Sequence, residues 1–234
     1  MNARRRVTRA AALAVAVCAV CATGCACTGS TTRAARIDLA CDVSQSTGIW
    51  QEGRFSRKVQ PVVTAVLRSA RPQGELNVTV ICSNTYSIMV DPARCASADD
   101  LSSRIASGRR QQAGPEALPF GKGTALAEGL RRCVAPRVTG LRTIVLLTDG
   151  MAEGRERDPW PDLHAALRQC LRGNVRIAVL GLSDRRIFGP TSPTAFEWWT
   201  RALDETGAPR LRPGLIRGRG YWARSEYYLP RGFL

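Results

Sequence analysis

Apolar positions along this chain follow two different periods. Residues 37–41 (IDLAC), 75–81, 141–147 and 175–182 are short, mostly apolar runs of the kind that fits strands buried on both faces. A further strand is predicted at 86–90, reached through Ser83, Asn84 and Thr85 and ended by Asp91 and Pro92. Between these runs the period lengthens. Phe55, Val59, Val62, Val63, Val66 and Leu67 line one face of a predicted helix over 55–70. Further helices are predicted at 99–107, with Asp99 at its start, and at 124–134, 161–172 and 194–205. In the last of these, Phe196, Trp198, Trp199 and Leu203 make an amphipathic pattern, and the tryptophans read as core or rim packing rather than a carbohydrate platform. Strand and helix alternate throughout, which predicts an α/β fold: a doubly wound, mostly parallel sheet with helices on both faces, in a single domain over residues 37–212.

The polar residues that carry chemistry stand where these elements end. After the first strand come Asp42, Ser44 and Ser46, spaced so that one carboxylate and two hydroxyls can face one crevice. In an open parallel sheet that crevice lies beyond the carboxyl ends of the strands. Such a set of hard oxygen ligands suits magnesium, manganese or calcium and suits zinc or copper poorly. The alternative is a Ser/Thr-rich turn whose side chains only cap the backbone. Thr124 follows the glycine loop 121–123, where it can cap a helix or offer its hydroxyl to an ion. The strand at 141–147 runs into Thr148, Asp149 and Gly150, a second strand end that carries an acid.

These three stretches, in this order, resemble a von Willebrand factor type A (VWA) domain. DVSQS at 42–46 matches the family's D-x-S-x-S, Thr124 its threonine, and TDG at 148–150 its strand-end acid. Together they make up the family's metal-ion-dependent adhesion site. The resemblance implies that Ser44, Ser46 and Thr124 contact a magnesium-type ion (Mg2+, or Mn2+ or Ca2+) directly, while Asp42 and Asp149 hold it largely through water. It also implies one open position on the ion, filled by an acidic group of a partner protein. The glycine loop is not a phosphate-binding P-loop, since G-x-x-x-x-G-K-[ST] is absent, and no G-x-G-x-x-G follows a strand.

The N-terminal stretch is read as an address rather than as fold. Arg4, Arg5, Arg6 and Arg9 precede an alanine-rich apolar run at 10–20 and then small residues, the layout of an export signal over residues 1–24. Ala22-Thr23-Gly24-Cys25 resembles a bacterial lipobox with Ala22 in place of the usual leucine, which makes Cys25 a lipidation site followed by a polar tether to residue 36. Simple secretion with Cys25 as a plain thiol is the competing reading. The expected location is the outer face of the cell membrane. Six cysteines remain beyond Cys25, namely Cys27, Cys41, Cys82, Cys95, Cys133 and Cys170. An oxidising compartment permits disulfides. Cys82 and Cys95 flank a predicted strand pair and are expected to be bonded, with Cys133–Cys170 a second candidate pair and Cys41 a small buried hydrophobe.

Charge enters last. The formal net charge is +15, or about +11 without the four arginines of the signal. A basic, aromatic tail occupies residues 213–234. Such a tail can contact nucleic acid, but an exported protein points instead to anionic lipid or an acidic wall polymer, or to charge that serves solubility alone. No Ser-His-Asp or Cys-His set is suggested, and the lone His164 lies in a predicted helix away from the motifs. The expectation is therefore a non-enzymatic, lipid-anchored binding protein that captures an acidic residue of another protein through its ion. A metal-dependent phosphohydrolase of the envelope and a metal-free interaction scaffold are the alternatives.

Overall fold

A computed structural model describes residues 36–113, 124–134, 140–152, 159–172 and 175–206. These all belong to one compact unit. The signal, Cys25, Cys27, the tether up to residue 35 and the basic tail lie outside the described residues, as do Glu153, Glu156 and Asp158.

The centre of the domain is β1 (Arg36–Asp42), hydrogen-bonded in parallel to β4 (Leu76–Ile81) on one side and to β6 (Arg142–Leu147) on the other. A strand so placed has no solvent face, which is why its sequence is apolar almost throughout. The sheet order is β5-β4-β1-β6-β7, with β7 (Val175–Leu180) parallel to β6 and β5 (Tyr86–Val90) antiparallel to β4 at the opposite edge. The chain thus builds outward on one side of β1 and then returns to build outward on the other. That reversal places a topological switch point at the carboxyl end of β1.

Alternate residues of each strand enter opposite layers. Leu39, Cys41, Val78, Val80, Val145 and Leu147 pack into one core with α1 (Gln60–Ala70) and α2 (Ala98–Ala113). Ala40, Ile144, Leu146, Ile177 and Val179 pack into the other with α3 (Leu126–Val134), α4 (Trp160–Leu171) and α5 (Ala195–Glu205). The expected doubly wound α/β architecture is therefore the fold.

Two elements differ from the sequence reading. Residues 55–59 are not helical: Trp50–Gln51 (β2) and Arg54–Phe55 (β3) form a small antiparallel hairpin. Glu52 and Gly53, at φ 49° and 80°, turn it in the left-handed region that favours two-residue hairpins. Phe55 stacks edge-on against Trp50 at 5.2 Å instead of lying on a helix, and α1 begins only near Pro61, whose fixed φ suits a first turn. Conversely, α2 runs on through Gly108, past the end at 107 that the sequence predicts. A Cβ at that position would lie 2.6 Å from Ile88 Cγ2, so the missing side chain lets the helix sit against β5.

The cysteine pairing is corrected. Cys82 and Cys95 are not bonded to each other, and both are free among the described residues. In the antiparallel pair, Val80 faces Tyr86 and Leu76 faces Val90, so Cys82 lies at one end of the hairpin and Cys95 beyond the other. That is roughly 15 Å of strand, against a limit of about 7 Å between bridged Cα atoms. Each thiol instead donates to a nearby carbonyl, Cys82 to Asn84 and Cys95 to Ser97. Cys133 and Cys170 are free and buried as well. Cys133 Sγ is directed to Thr79 Oγ1, 3.6 Å away on the sheet, and burial pushes both thiols up to about 12. Cys41 is a fully buried free thiol in the central strand.

Candidate metal-binding site

At the end of β1 the backbone leaves the sheet in a 3-10 turn, Gln45–Thr47, closed by Gly48 in the left-handed region at φ 63°. Thr47 holds this turn in place by donating its hydroxyl to the carbonyls of Asp42, at 3.1 Å, and Ser44, at 2.8 Å. The Ser44 side chain makes no capping bond, although the residue occupies the N-cap position. Its hydroxyl lies 3.3 Å from that of Ser46. The two serines are thus held side by side beyond the strand end, which is not how side chains that merely cap a turn are used.

Asp42 is fully buried. One carboxylate oxygen accepts from the Ser44 backbone N–H at 3.0 Å, and the other from the Thr148 hydroxyl at 2.7 Å. Thr148 therefore ties the end of β1 to the end of β6. The same hydroxyl accepts the Gly150 N–H at 2.9 Å. Asp149 follows, and one of its carboxylate oxygens accepts the Met151 N–H at 3.0 Å. The other, Oδ2, is buried and has no hydrogen-bond partner among the described residues. Burial, then the charge of Asp149, push the Asp42 carboxyl up to about 7, against the hydrogen bonds from Thr148 and Ser44 that favour its charged form.

Gly150 turns the chain away at φ 80°. A Cβ there would lie 2.5 Å from Leu182 Cδ2 and 2.9 Å from Trp199 Nε1, and the Trp199 indole N–H donates to the Gly150 carbonyl at 3.0 Å. The turn bearing Asp149 is therefore pinned from α5, by a residue buried completely in the core. Thr124 is buried just ahead of α3. Arg142, at the start of β6, donates to the Cys133 carbonyl near the end of α3 at 2.8 Å. Cys133 Sγ meets Thr79 and Gly129 packs on Ile81 further along β4, so α3 runs antiparallel to that strand, and its amino end, which Thr124 precedes, points toward the strand's carboxyl end.

Sequence reasoning missed two residues here, Thr148 as the link between the acids and Trp199 as the brace behind Gly150. Thr148 stands in the quoted TDG motif, but only the acid was given a role. Nothing local to Trp199 signals its contact. His164 lies away from this edge and pairs with Glu205 at 3.2 Å, between α4 and α5.

The residues present fit a divalent cation. Two carboxylates are held close in a buried setting that raises the proton affinity of one, an oxygen of the other lacks a partner among the described residues, and the hydroxyls of Ser44 and Ser46 stand beyond the same strand end. A hard dication would relieve all of these together. Groups of three or more His, Cys, Asp or Glu able to hold a metal are absent among the described residues.

The fold and this edge define a doubly wound α/β domain with an acid-and-hydroxyl cluster at its switch point. No protein-family model and no curated protein matches the sequence. Among solved structures, the chain is similar to the pilus adhesin SpaC from Lactobacillus rhamnosus GG in its open conformation. The TM-score is 0.53 at 15% identity, covering 82% of this chain and 29% of the adhesin. A second SpaC structure gives 0.50 at 16% identity, covering 77% and 28%. The manganese-loaded TRAP protein of Plasmodium vivax gives 0.49 at 16% identity, covering 80% and 68%. At such identities the likeness concerns the fold, and the chain spans under a third of the length of SpaC.

Proposed function

We propose that this chain is an exported surface protein whose domain binds a magnesium- or manganese-type ion and uses it to hold an acidic residue of a partner protein. The observation that carries this reading is the buried pair Asp42 and Asp149, joined through Thr148, with Asp149 Oδ2 lacking a hydrogen-bond partner among the described residues. Ser44, Ser46 and Thr124 would hold the ion directly, and the two acids would anchor it from behind. Ligands that are mostly neutral leave a bound dication able to attract an external carboxylate, and this favours capture over hydrolysis. SpaC, whose fold this domain shares, is a pilus adhesin, and an adhesive role is the transfer we make. The export signal at 1–24 and lipidation at Cys25 complete the reading and place the domain outside the cell. No helix among the described residues is long and apolar enough to cross a membrane; the means of attachment in this reading is the lipid on Cys25.

Manganese titration of the purified chain, followed by electron paramagnetic resonance, tests the site. The expected result is a single class of bound ion in the wild type and its loss in Asp149→Ala. Equal binding by the two proteins would place the ion elsewhere and overturn the assignment.

A further inference from the structure

Met89 and Phe188 are the large apolar side chains that stand out into solvent among the described residues. Met89 is met by an Arg36 guanidinium at 3.9 Å. Phe188, 54% exposed, stands on the segment between β7 and α5, and that segment is built rather than loose. Arg186 and Thr194 form an antiparallel bridge, and the Ile187 N–H donates to the Pro193 carbonyl at 3.0 Å. The Phe188 N–H donates to the Ser192 hydroxyl at 2.9 Å, which itself donates to the Gly189 carbonyl at 2.8 Å. The tip bearing the ring is therefore fixed before any partner arrives, which lowers the entropic cost of using it as an anchor.

The segment also starts at the candidate ion site. The Ser183 N–H donates to the Asp149 carbonyl at 2.9 Å, and Leu182 closes on Gly150. Behind the ring, aromatic contacts lead back to the same turn: Phe188 on Trp160 at 6.3 Å, Trp160 on Trp198 at 4.7 Å, Trp198 on Trp199 at 5.6 Å, and Trp199 onto the Gly150 carbonyl. On the segment that carries the ring, exposed Arg185 and Arg186 stand against one exposed acid, Asp184, and the chain as a whole is strongly basic.

We propose that Phe188, with Arg185 beside it, is a second contact for the partner that the ion site holds, and that this partner is an acidic protein segment carrying an apolar side chain near the carboxylate that reaches the ion. The inference rests on the ion-binding reading for its first contact. A rigid aromatic on the segment that leaves an electrostatic capture point divides the work, the ion supplying attraction and the ring supplying contact area and selectivity.

The test is selection of short random peptides displayed on phage against the full chain, once with manganese and once with chelator, followed by affinity measurement on variants. The expected peptides are acidic with an aromatic or aliphatic residue. They should lose binding in chelator and in Asp149→Ala, and weaken about tenfold or more in Phe188→Ser while bare manganese affinity and melting temperature stay as in wild type. Arg185→Glu should weaken the same peptides. Manganese-dependent peptides indifferent to Phe188→Ser and Arg185→Glu would overturn this inference and leave the ion site standing. Peptides that need Phe188 but ignore manganese would remove the ion from the account and with it the shared partner. Failure to enrich any peptide in either condition would overturn the inference as well.

Discussion

Asp42 carries the most perturbed carboxylate near the site, and its environment has a consequence for pH. Burial and Asp149 raise it from 3.8 to about 7 in the folded state. Between those values the folded protein keeps a proton that the unfolded chain releases. Its contribution to stability is then fully present below the unfolded value and lost as pH rises through about 7. In chelator, the melting temperature of the wild type relative to Asp42→Asn is expected to fall between about pH 5 and about pH 8. Saturating magnesium, taking the place of that proton, should shrink the fall. A difference that stays flat or grows over this range in chelator would contradict the assignment. That Asp42, Ser44, Ser46 and Asp149 stand at the ends of buried strands was legible in the sequence, because each motif is local and follows an apolar run. The part played by Thr148 was not, because its bond to Asp42 spans 106 positions and exists only once β1 and β6 lie side by side.

At the scale of elements, the turn after β6 depends on a glycine and on the helix that backs it. Gly150→Ala forces an L-residue to φ 80° and drives its Cβ into Leu182 and Trp199. Denaturant unfolding is expected to show a loss of about 1–3 kcal/mol, and manganese affinity should fall as Asp149 shifts. A variant as stable as wild type would show that the turn relaxes freely. Long strands and helices were readable from periodicity because each buries a continuous face. The β2–β3 hairpin was not, since two-residue strands have no period and Phe55 continues the apolar spacing of α1. The Cys82–Cys95 pairing was misread for a related reason. Flanking a strand pair says nothing about which end of it each cysteine occupies, and the antiparallel register separates the two by the full length of the hairpin.

At the scale of the whole molecule, strand order follows from physics the sequence already carries. The apolar run that becomes β1 could only be satisfied between two other strands, and the chain reversal around it creates the edge where the acids meet. Attachment to the membrane belongs to this scale too. Cys25→Ser is expected to move the protein from the membrane fraction to the soluble exported fraction, and equal membrane retention would remove the lipid anchor from the account. The central claim is tested most directly by thermal unfolding of the purified chain, in chelator and with magnesium or manganese, beside Asp149→Ala. An ion at about 100 times its dissociation constant adds roughly 2.7 kcal/mol to a folded state that alone binds it, a rise of several degrees for a domain of this size. The account predicts that rise in the wild type and its disappearance in Asp149→Ala. Equal melting temperatures with and without ion in the wild type would contradict it.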